Sequence, residues 1–252
     1  MHQPKISIIT ITYNAERWLE RTILSVLTQS YTHIEYIIID GQSKDKTVDI
    51  IRQYEAGVSY WISEPDNGLY DAMNKGMRHA TGDYVWFMNA GDTIYTADTV
   101  QKMVDKIKKK VSLPDIIYGE TMIVDSDNRP VGRRRLKAPK RLTWKSFKMG
   151  MLVCHQSFLV KREIATPYDT AYRHVADFDW CIRSMKQAQR IQNSGLVLSN
   201  YMEGGMSAIH RKASLKERYA VMSHYYGKVY TFLIHGWFAL RFYWAKWVKG
   251  RV

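Results

Sequence analysis

The chain is poor in cysteine and has no long apolar run. Cys154 and Cys181 are its two cysteines, too few for a disulfide framework, so a reducing, cytoplasmic setting is expected. The longest charge-free run near the C-terminus, Val229–Leu240, is shorter than the roughly 20 apolar residues that span a bilayer. A strand pattern already begins at Lys5 and leaves no room for a signal peptide. We therefore expect neither a membrane-spanning helix nor a secretion signal.

Acidic residues are scarce in the second half of the chain. The first 127 residues hold 13 lysines and arginines against 18 acidic residues, whereas residues 128–252 hold 24 against 6. Such a basic half is expected to attract phosphates of lipids or of nucleic acid. A solvated surface that keeps the protein soluble explains any one basic residue equally well. The basic run, as we call the lysines and arginines between Asp127 and Glu163, comprises Arg129, Arg133, Arg134, Arg135, Lys137, Lys140, Arg141, Lys145, Lys148, Lys161 and Arg162.

Short apolar runs rich in branched or aromatic residues recur through the first half. Apolar residues at helical spacing separate them, and Asn14 is placed to cap the first helix. This alternation predicts a right-handed, doubly wound, mostly parallel α/β sheet, which binds ligands at the carboxyl ends of its strands. The predicted strands are Ile6–Ile11, Ile34–Ile39, Val58–Ile62 and Tyr84–Met88.

The pattern changes towards the C-terminus. Ile116–Val124 and Pro130–Arg135 predict a hairpin, so we divide the chain into a first α/β half (1–125), a second half of the same domain (126–212) and a C-terminal amphipathic, basic helical segment (213–252). In that last segment, Tyr, Trp, Leu and Val recur at helical spacing beside lysines and arginines. Such a helix suits a membrane surface, and packing on the domain explains it equally well.

Three carboxylates stand where a strand or helix is expected to end in a loop. Asp40 can accept hydrogen bonds from a base or ribose, or cap the turn that follows it. Asp92, with phosphate oxygens, can hold a divalent cation that neutralises a diphosphate. Asp177 can take the proton of an acceptor hydroxyl, or cap a helix start. Asp179 is two residues further on, so only one of this pair is expected to be the base.

Six motifs, in order along the chain, resemble those of the family 2 glycosyltransferases, which have the GT-A nucleotide-sugar-binding fold. Each motif alone is a weak signal, but six at family-like spacing are specific. The resemblance covers roughly residues 4–210 and is looser beyond Tyr118. The motifs are Ser7–Asn14, Ile38–Thr47, Ser63–Gly68, Tyr70–Gly76, Ala80–Tyr84 and Asn89–Asp92.

The resemblance implies an inverting, single-displacement transfer of a sugar from a nucleotide diphosphate sugar, with a UDP-sugar favoured. The first half of the chain would then bind the donor. Asp92 matches the last carboxylate of the family's metal-binding Asp-x-Asp region and would hold Mg²⁺ or Mn²⁺. The donor would contact Tyr13, Asp40, Asp66 and Asn74.

On the acceptor side, Asp177 falls where the family's Glu-Asp pair supplies the general base, with Ala176 in place of the glutamate. The acceptor would be a hydroxyl of a glycan or of a lipid-linked glycan. The basic second half would give peripheral contact with the inner face of the cell membrane. The residues that resemble acceptor-side and phosphate-closing segments of the family are His155, Gln156, Gly205 and Ser207. Core packing is an open alternative for His155, and an ordinary turn is one for Gly205.

A departure from the family pattern in the metal region keeps another interpretation open. Asn89 and Gly91 replace aspartates common in the metal region, which is compatible with a non-catalytic nucleotide-sugar-binding protein. Nucleic-acid binding is motivated by charge alone, without a zinc-finger or RNA-recognition motif, so we expect no nucleic-acid partner. A sugar nucleotidyltransferase needs a glycine-rich phosphate loop after the first strand, and Thr12–Glu16 offers none.

Overall fold

The computed structural model describes residues 3–108, 112–204 and 211–249. Its first half is built from parallel strands, three of which are almost entirely buried because helices cover both faces. The predicted alternation is confirmed, with small shifts at the strand ends. In chain order the elements are β1 (Ile6–Thr12), α1 (Leu19–Leu27), β2 (Ile34–Asp40), α2 (Thr47–Gln53), β3 (Tyr60–Ser63), α3 (Leu69–His79), β4 (Tyr84–Phe87), β5 (Thr93–Ile94) and α4 (Thr99–Lys108).

The second half adds strands of mixed direction to the same sheet. The added elements are β6 (Ile116–Val124), β7 (Pro130–Arg133), β8 (Phe158–Lys161), α5 (Ala176–Gln187) and β9 (Ile191–Met202). β6 and β7 form the predicted hairpin. β8 runs antiparallel to both β4 and β6, and β9 runs parallel to β6. The resulting strand order is β3-β2-β1-β4-β8-β6-β9-β5, with β7 beside β6.

Alternate residues of β1 divide the core into two layers. Ile9 and Ile11 pack with α3, whereas Ile6 and Ile8 pack with α1 and α4. This is the two-sided burial expected of a doubly wound sheet. Cys154 and Cys181 are buried and unbridged.

The C-terminal segment is two helices rather than one. Helix α6 (Arg211–Tyr226) and helix α7 (Lys228–Lys249) are separated at Gly227, whose φ of 87° lies in the left-handed region that favours glycine. Val221 and Met222 of α6 are fully buried, so α6 belongs to the core. No helix in the described ranges is long and apolar enough to cross a membrane.

Candidate functional site

The carboxyl ends of β1, β2 and β3 bring two of the predicted donor residues together. Thr12, Asp40 and Ser63 lie side by side across these strands. Gly41, the next residue after β2, is so close to its neighbours that an added Cβ would lie 2.5 Å from Asp66 Oδ2 and 3.3 Å from Tyr13 Cδ2. The Tyr13 side chain is 62% exposed. Tyr13 and Asp66 therefore both lie against Gly41 at this edge, with the Tyr13 ring exposed.

Asp40 is completely buried and already hydrogen-bonded. Its Oδ2 accepts from the Ser43 amide (2.9 Å) and the Ser63 hydroxyl (2.6 Å), and its Oδ1 accepts from the Ser43 hydroxyl (2.5 Å). These bonds fix the loop after β2, which is the turn-capping role considered from the sequence. Direct contact with a base or ribose stays a prediction.

Asn14 was expected to cap α1. It does not, because that helix begins only at Leu19. Asn14 has a φ of 47° and lies in the loop after β1. Its amide donates to the Ser43 hydroxyl (2.8 Å), and its side-chain oxygen accepts from the Lys44 amide (2.8 Å). The loops after β1 and β2 are thereby joined beside Tyr13.

Asp92 lies at the same rim of the sheet as Asp40, on the other side of β1. The segment after β4 continues along β1, since the Met88 amide donates to the Ile9 carbonyl (2.9 Å) and the Ala90 amide to the Ile11 carbonyl (3.1 Å). Asp40 ends β2 and Asp92 follows β4, and both strands flank β1, so the two carboxylates lie at one edge of the sheet.

Helix α1 and β9 hold the Gly91-Asp92 turn in place. The Thr22 hydroxyl donates to the Asp92 carbonyl (2.8 Å) and accepts from the Gly91 amide (3.0 Å), while Arg21 Nη2 donates to the Gly91 carbonyl (2.8 Å). The Met202 amide donates to Asp92 Oδ1 (2.9 Å). Burial raises the pKa of Asp92 to about 7, against the opposing effects of hydrogen bonds from the Met202 amide and the Gln156 side chain and of the Arg21 charge.

The residues around Asp92 fit a cation that takes most of its ligands from a diphosphate. No cluster of three or more His, Cys, Asp or Glu side chains occurs in the part of the chain that the structure describes. Asn89 Oδ1, however, is buried there without a hydrogen-bond partner. One carboxylate and one amide oxygen suit Mg²⁺ or Mn²⁺ when phosphates complete the shell.

The structure also explains why residue 91 carries no carboxylate. Gly91 has a φ of 102°, and an added Cβ would lie 2.7 Å from Met202 Cε. An aspartate at this position would be strained in its backbone and would displace the methionine.

Asp177 and Asp179, at the start of α5, have different environments. Asp177 is partly exposed, and its Oδ1 accepts from the Tyr70 hydroxyl (3.1 Å) and the Phe178 amide (2.9 Å). Asp179 is buried between Arg183 Nε (2.7 Å) and the Tyr225 hydroxyl (2.7 Å). Asp179 is therefore committed to packing, and Asp177 is the carboxylate open to a substrate.

Tyr201, in β9, responds to the charges of both candidate carboxylates. Burial raises the pKa of Tyr201, and the negative charges of Asp92 and Asp177 both raise it further. Arg218 of α6 lies on the Asp177 side, with its guanidinium carbon 5.9 Å from the Phe178 ring centre and its Nε buried without a hydrogen-bond partner. Burial lowers the pKa of Arg218, against the opposing effect of the Asp177 charge.

Asn74, predicted to lie near the donor, joins two segments of the fold. Its Nδ2 donates to the Tyr168 carbonyl (3.0 Å), and its Oδ1 accepts from the Tyr168 amide (2.7 Å). This pair of hydrogen bonds fixes the segment before α5 against α3. A direct role in donor binding stays a prediction.

His155 and Gln156 lie in the wall between Asp92 and Asp177. His155 is 3% exposed, its Nε2 lies 2.6 Å from the Tyr168 hydroxyl, and burial lowers its pKa to about 4. The Gln156 side chain bonds to Asp92 and lowers the pKa of that carboxyl. Contact with an acceptor stays a prediction for both, and Gly205 and Ser207 lie outside the described residues.

The residues that position these groups were not predicted from the sequence. Arg21 and Thr22 lie on a helix with no family motif, and Tyr70 stands inside a motif without an assigned role. The signal was weak because the partners are distant in sequence: Arg21 contacts Met202, 181 residues away.

The fold and the site define an α/β domain of the GT-A nucleotide-sugar-binding class. The sequence matches the family described as Glycosyl transferase family 2 over residues 7–168. The chain belongs to this family.

Two relatives named as glycosyltransferases share much of the chain. An uncharacterized glycosyltransferase of Mycobacterium tuberculosis is 35% identical over 186 residues, which are 72% of this chain and 69% of that protein. A PGL/p-HBAD biosynthesis glycosyltransferase of Mycobacterium bovis is 30% identical over 215 residues, which are 82% and 80% of the two chains.

Solved structures share the fold. S. aureus TarS 1–349, in complex with UDP-GlcNAc, superposes with a TM-score of 0.71 at 18% identity over 86% of this chain, which spans 64% of the TarS chain. The mannosyltransferase PcManGT from Pyrobaculum calidifontis, in complex with GDP-Man and Mn²⁺, gives a TM-score of 0.63 at 18% identity over 87% and 64% of the two chains.

Proposed function

We propose that the protein transfers a sugar from a nucleotide diphosphate sugar, with a UDP-sugar favoured, to a hydroxyl of a glycan or lipid-linked acceptor with inversion at the anomeric carbon. The observation that carries this proposal is the placement of two carboxylates: Asp92 lies at the sheet edge where β2 ends in Asp40, and Asp177 is partly exposed at the start of α5. Family membership and the UDP-GlcNAc complex of TarS support a sugar-nucleotide donor.

The nucleotide is proposed to lie at the edge formed by Tyr13, Gly41 and Asp66. The Tyr13 ring offers an exposed apolar face to a base. The absence of a side chain at Gly41 leaves room for Asp66 and Tyr13 to lie against it at this edge. Asp40 supports this surface by fixing the loop after β2, and Asn74 supports the neighbouring donor-sugar side.

Asp92 would hold Mg²⁺ or Mn²⁺ together with the donor diphosphate, and Asn89 offers a second oxygen. The metal would neutralise the negative charge that develops on the leaving diphosphate. The Mn²⁺ complex of the mannosyltransferase PcManGT supports this choice of cation. Hydrogen bonds from Thr22, Arg21 and Met202 keep the Gly91-Asp92 turn in one conformation for this role.

Asp177 is proposed as the general base. The acceptor oxygen attacks the anomeric carbon, the bond from that carbon to the diphosphate oxygen breaks, and the acceptor proton passes to the Asp177 carboxylate. The Tyr70 hydroxyl orients this carboxylate by donating to Oδ1 (3.1 Å), which leaves Oδ2 for the acceptor. His155, Gln156, Gly205 and Ser207 are proposed for the acceptor and phosphate side.

The proposed setting is the cytoplasmic, inner face of the cell membrane, with peripheral contact. The basic second half supports it, since it would attract anionic lipids and a phosphate-linked acceptor. Nucleic acid is not a proposed partner.

Donor binding is tested by a thermal-shift screen of UDP-, GDP- and dTDP-sugars with and without Mn²⁺. A donor at about 100 times its Kd stabilises the folded state by about 2.7 kcal/mol, which raises Tm by roughly 5–10 °C for a chain of this size. No shift with any sugar nucleotide would refute the proposal.

Catalysis is tested with Asp177→Asn. The amide oxygen of asparagine can still accept from Tyr70 and Phe178, so the fold and donor binding are expected to persist. Transfer is expected to fall by about 10²- to 10⁴-fold. Asp179→Asn is the matched control on the same helix turn: it weakens the bond to Arg183, lowers Tm and leaves turnover of the folded protein largely intact. A full donor shift without any turnover by the wild-type protein would instead favour a non-catalytic binding protein.

A further inference from the structure

One face of helix α7 packs on the rest of the protein, and the opposite face is exposed. Thr231 is fully buried, Ile234 packs against the core, and the His235 ring lies 5.2 Å from that of Tyr219 on α6. These positions recur every three to four residues and so share one face of the helix. This face attaches α7 to α6 and the domain.

The opposite face is apolar and open. We call the six large apolar side chains on it the apolar stripe. They span more than four helical turns, and each is more than half exposed. Single exposed apolar residues are common on soluble proteins, but a continuous stripe of this length marks an interaction surface. The stripe comprises Val229 (77% exposed), Phe232 (69%), Leu233 (64%), Trp237 (53%), Leu240 (68%) and Trp244 (65%).

Basic residues accompany the stripe, and acidic residues do not. The sequence contains no Asp or Glu after Glu217. Lys228 and Arg241 are exposed on α7 and lie on either side of the stripe at 3.6 residues per turn. The stripe therefore has the composition of a helix that lies in a membrane interface.

The start of α7 adjoins part of the basic run. Lys148 Nζ lies 5.1 Å from the ring centre of Tyr230 in α7, and Lys145 Nζ lies 5.7 Å from that of Trp144. Trp144 stacks on Tyr226 at the end of α6, at 5.7 Å. A cleft of about 750 Å³ opens beside Trp144, and its charged lining residues are all basic: Lys140, Arg141, Lys145 and Lys186.

Helix α7 lies near the candidate base through its contact with α6. The His235 ring of α7 lies 5.2 Å from that of Tyr219. The residue before Tyr219 is Arg218, whose guanidinium carbon lies 5.9 Å from the ring centre of Phe178, the residue after Asp177. A surface held against the stripe would therefore lie near the acceptor side.

We propose that the apolar stripe of α7 inserts into the headgroup region of an anionic phospholipid bilayer, while Lys145, Lys148, Lys228 and Arg241 contact the lipid phosphates. The membrane contact rests on the proposed function, because its role would be to present a lipid-linked acceptor to the site. A second copy of the chain fits this surface less well, because pairing two stripes would bring their basic borders together.

The test is sedimentation of the full chain with vesicles of phosphatidylcholine alone or mixed in equal parts with phosphatidylglycerol. We expect binding to the mixed vesicles and a loss of at least about tenfold in the partition coefficient for the triple variant Phe232→Ser, Trp237→Ser, Leu240→Ser. The matched control, Leu24→Ser with Tyr95→Ser, changes side chains that are 40% and 39% exposed elsewhere, and we expect it to bind like the wild type.

A charge variant, Lys145→Gln with Lys148→Gln and Arg241→Gln, is expected to lose the preference for phosphatidylglycerol and the sensitivity of binding to salt. The proposal would be overturned if the triple variant of the stripe still bound vesicles, or if the wild type did not bind them. It would also be overturned if the wild type self-associated without lipid and the triple variant did not. Thermal shifts with UDP-sugars on the same variants separate the two proposals, because donor binding should survive every change in α7.

Discussion

Gly76 is expected to be required by the close approach of α3 to β1. It stands in the interior of α3, where glycine ordinarily costs about 1 kcal/mol relative to alanine, so propensity alone predicts that Gly76→Ala stabilises the protein. An added Cβ would, however, lie 2.4 Å from Ile9 Cγ2 and 3.5 Å from Ile39 Cγ1, both in buried strands. Overpacking of a core costs up to about 3 kcal/mol. We expect a net destabilisation of about 2 kcal/mol.

Gly236 of α7 provides the matched control. It is also inside a helix, but an added Cβ there would meet no atom within 4 Å. Gly236→Ala should therefore raise stability by up to about 1 kcal/mol. In thermal unfolding followed by circular dichroism, we expect Tm to fall by about 4–8 °C for Gly76→Ala and to rise by about 2–4 °C for Gly236→Ala.

The two glycine variants should differ in function as well. α3 carries Tyr70 and Asn74, so a displaced α3 is expected to reduce turnover in Gly76→Ala even at temperatures where it stays folded, whereas Gly236→Ala should act like the wild type. Equal stability of Gly76→Ala and Gly236→Ala would refute this expectation, because α3 would then have room for the methyl group.

Two further predictions concern buried titratable groups. His155 has a folded-state pKa of about 4 against an ordinary value of 6.5, so the stability it contributes is present above pH 6.5 and is lost, by about 3 kcal/mol, as the pH falls to about 4. His155→Gln should lack this part of the acid sensitivity in unfolding measured at pH 7 and pH 4.5, and an unchanged pH profile would contradict the assignment. Asp92→Asn should abolish the Mn²⁺-dependent part of the thermal shift produced by a donor, and persistence of that part would show that the cation is held elsewhere.

The parallel half of the fold could be predicted from sequence because its strands are continuous apolar runs that helices bury on both faces. β8, which joins β4 to β6, was not predicted from its four residues. Its partners are distant in the chain, and nothing local in Phe158–Lys161 specifies them. The two C-terminal helices were predicted as one, because the break depends on the backbone conformation of a single glycine, Gly227.

The candidate site was predictable in its carboxylates and less so in their surroundings. Position after a strand was sufficient to place Asp40 and Asp92 at one edge of the sheet. Periodicity could not reveal that Asp40 already binds Ser43 and Ser63, or that Asp179 rather than Asp177 is the packed member of its pair. Those distinctions depend on contacts between segments that lie far apart in sequence.

The division at Gly227 separates two physical tasks that one uninterrupted helix would have combined. Val221 and Met222 of α6 are part of the folded core, so substitutions there affect the stability of the enzyme. The apolar stripe of α7 contributes little to that core, and its composition can drift during evolution, or be redesigned for solubility, with little thermodynamic penalty to the rest of the molecule.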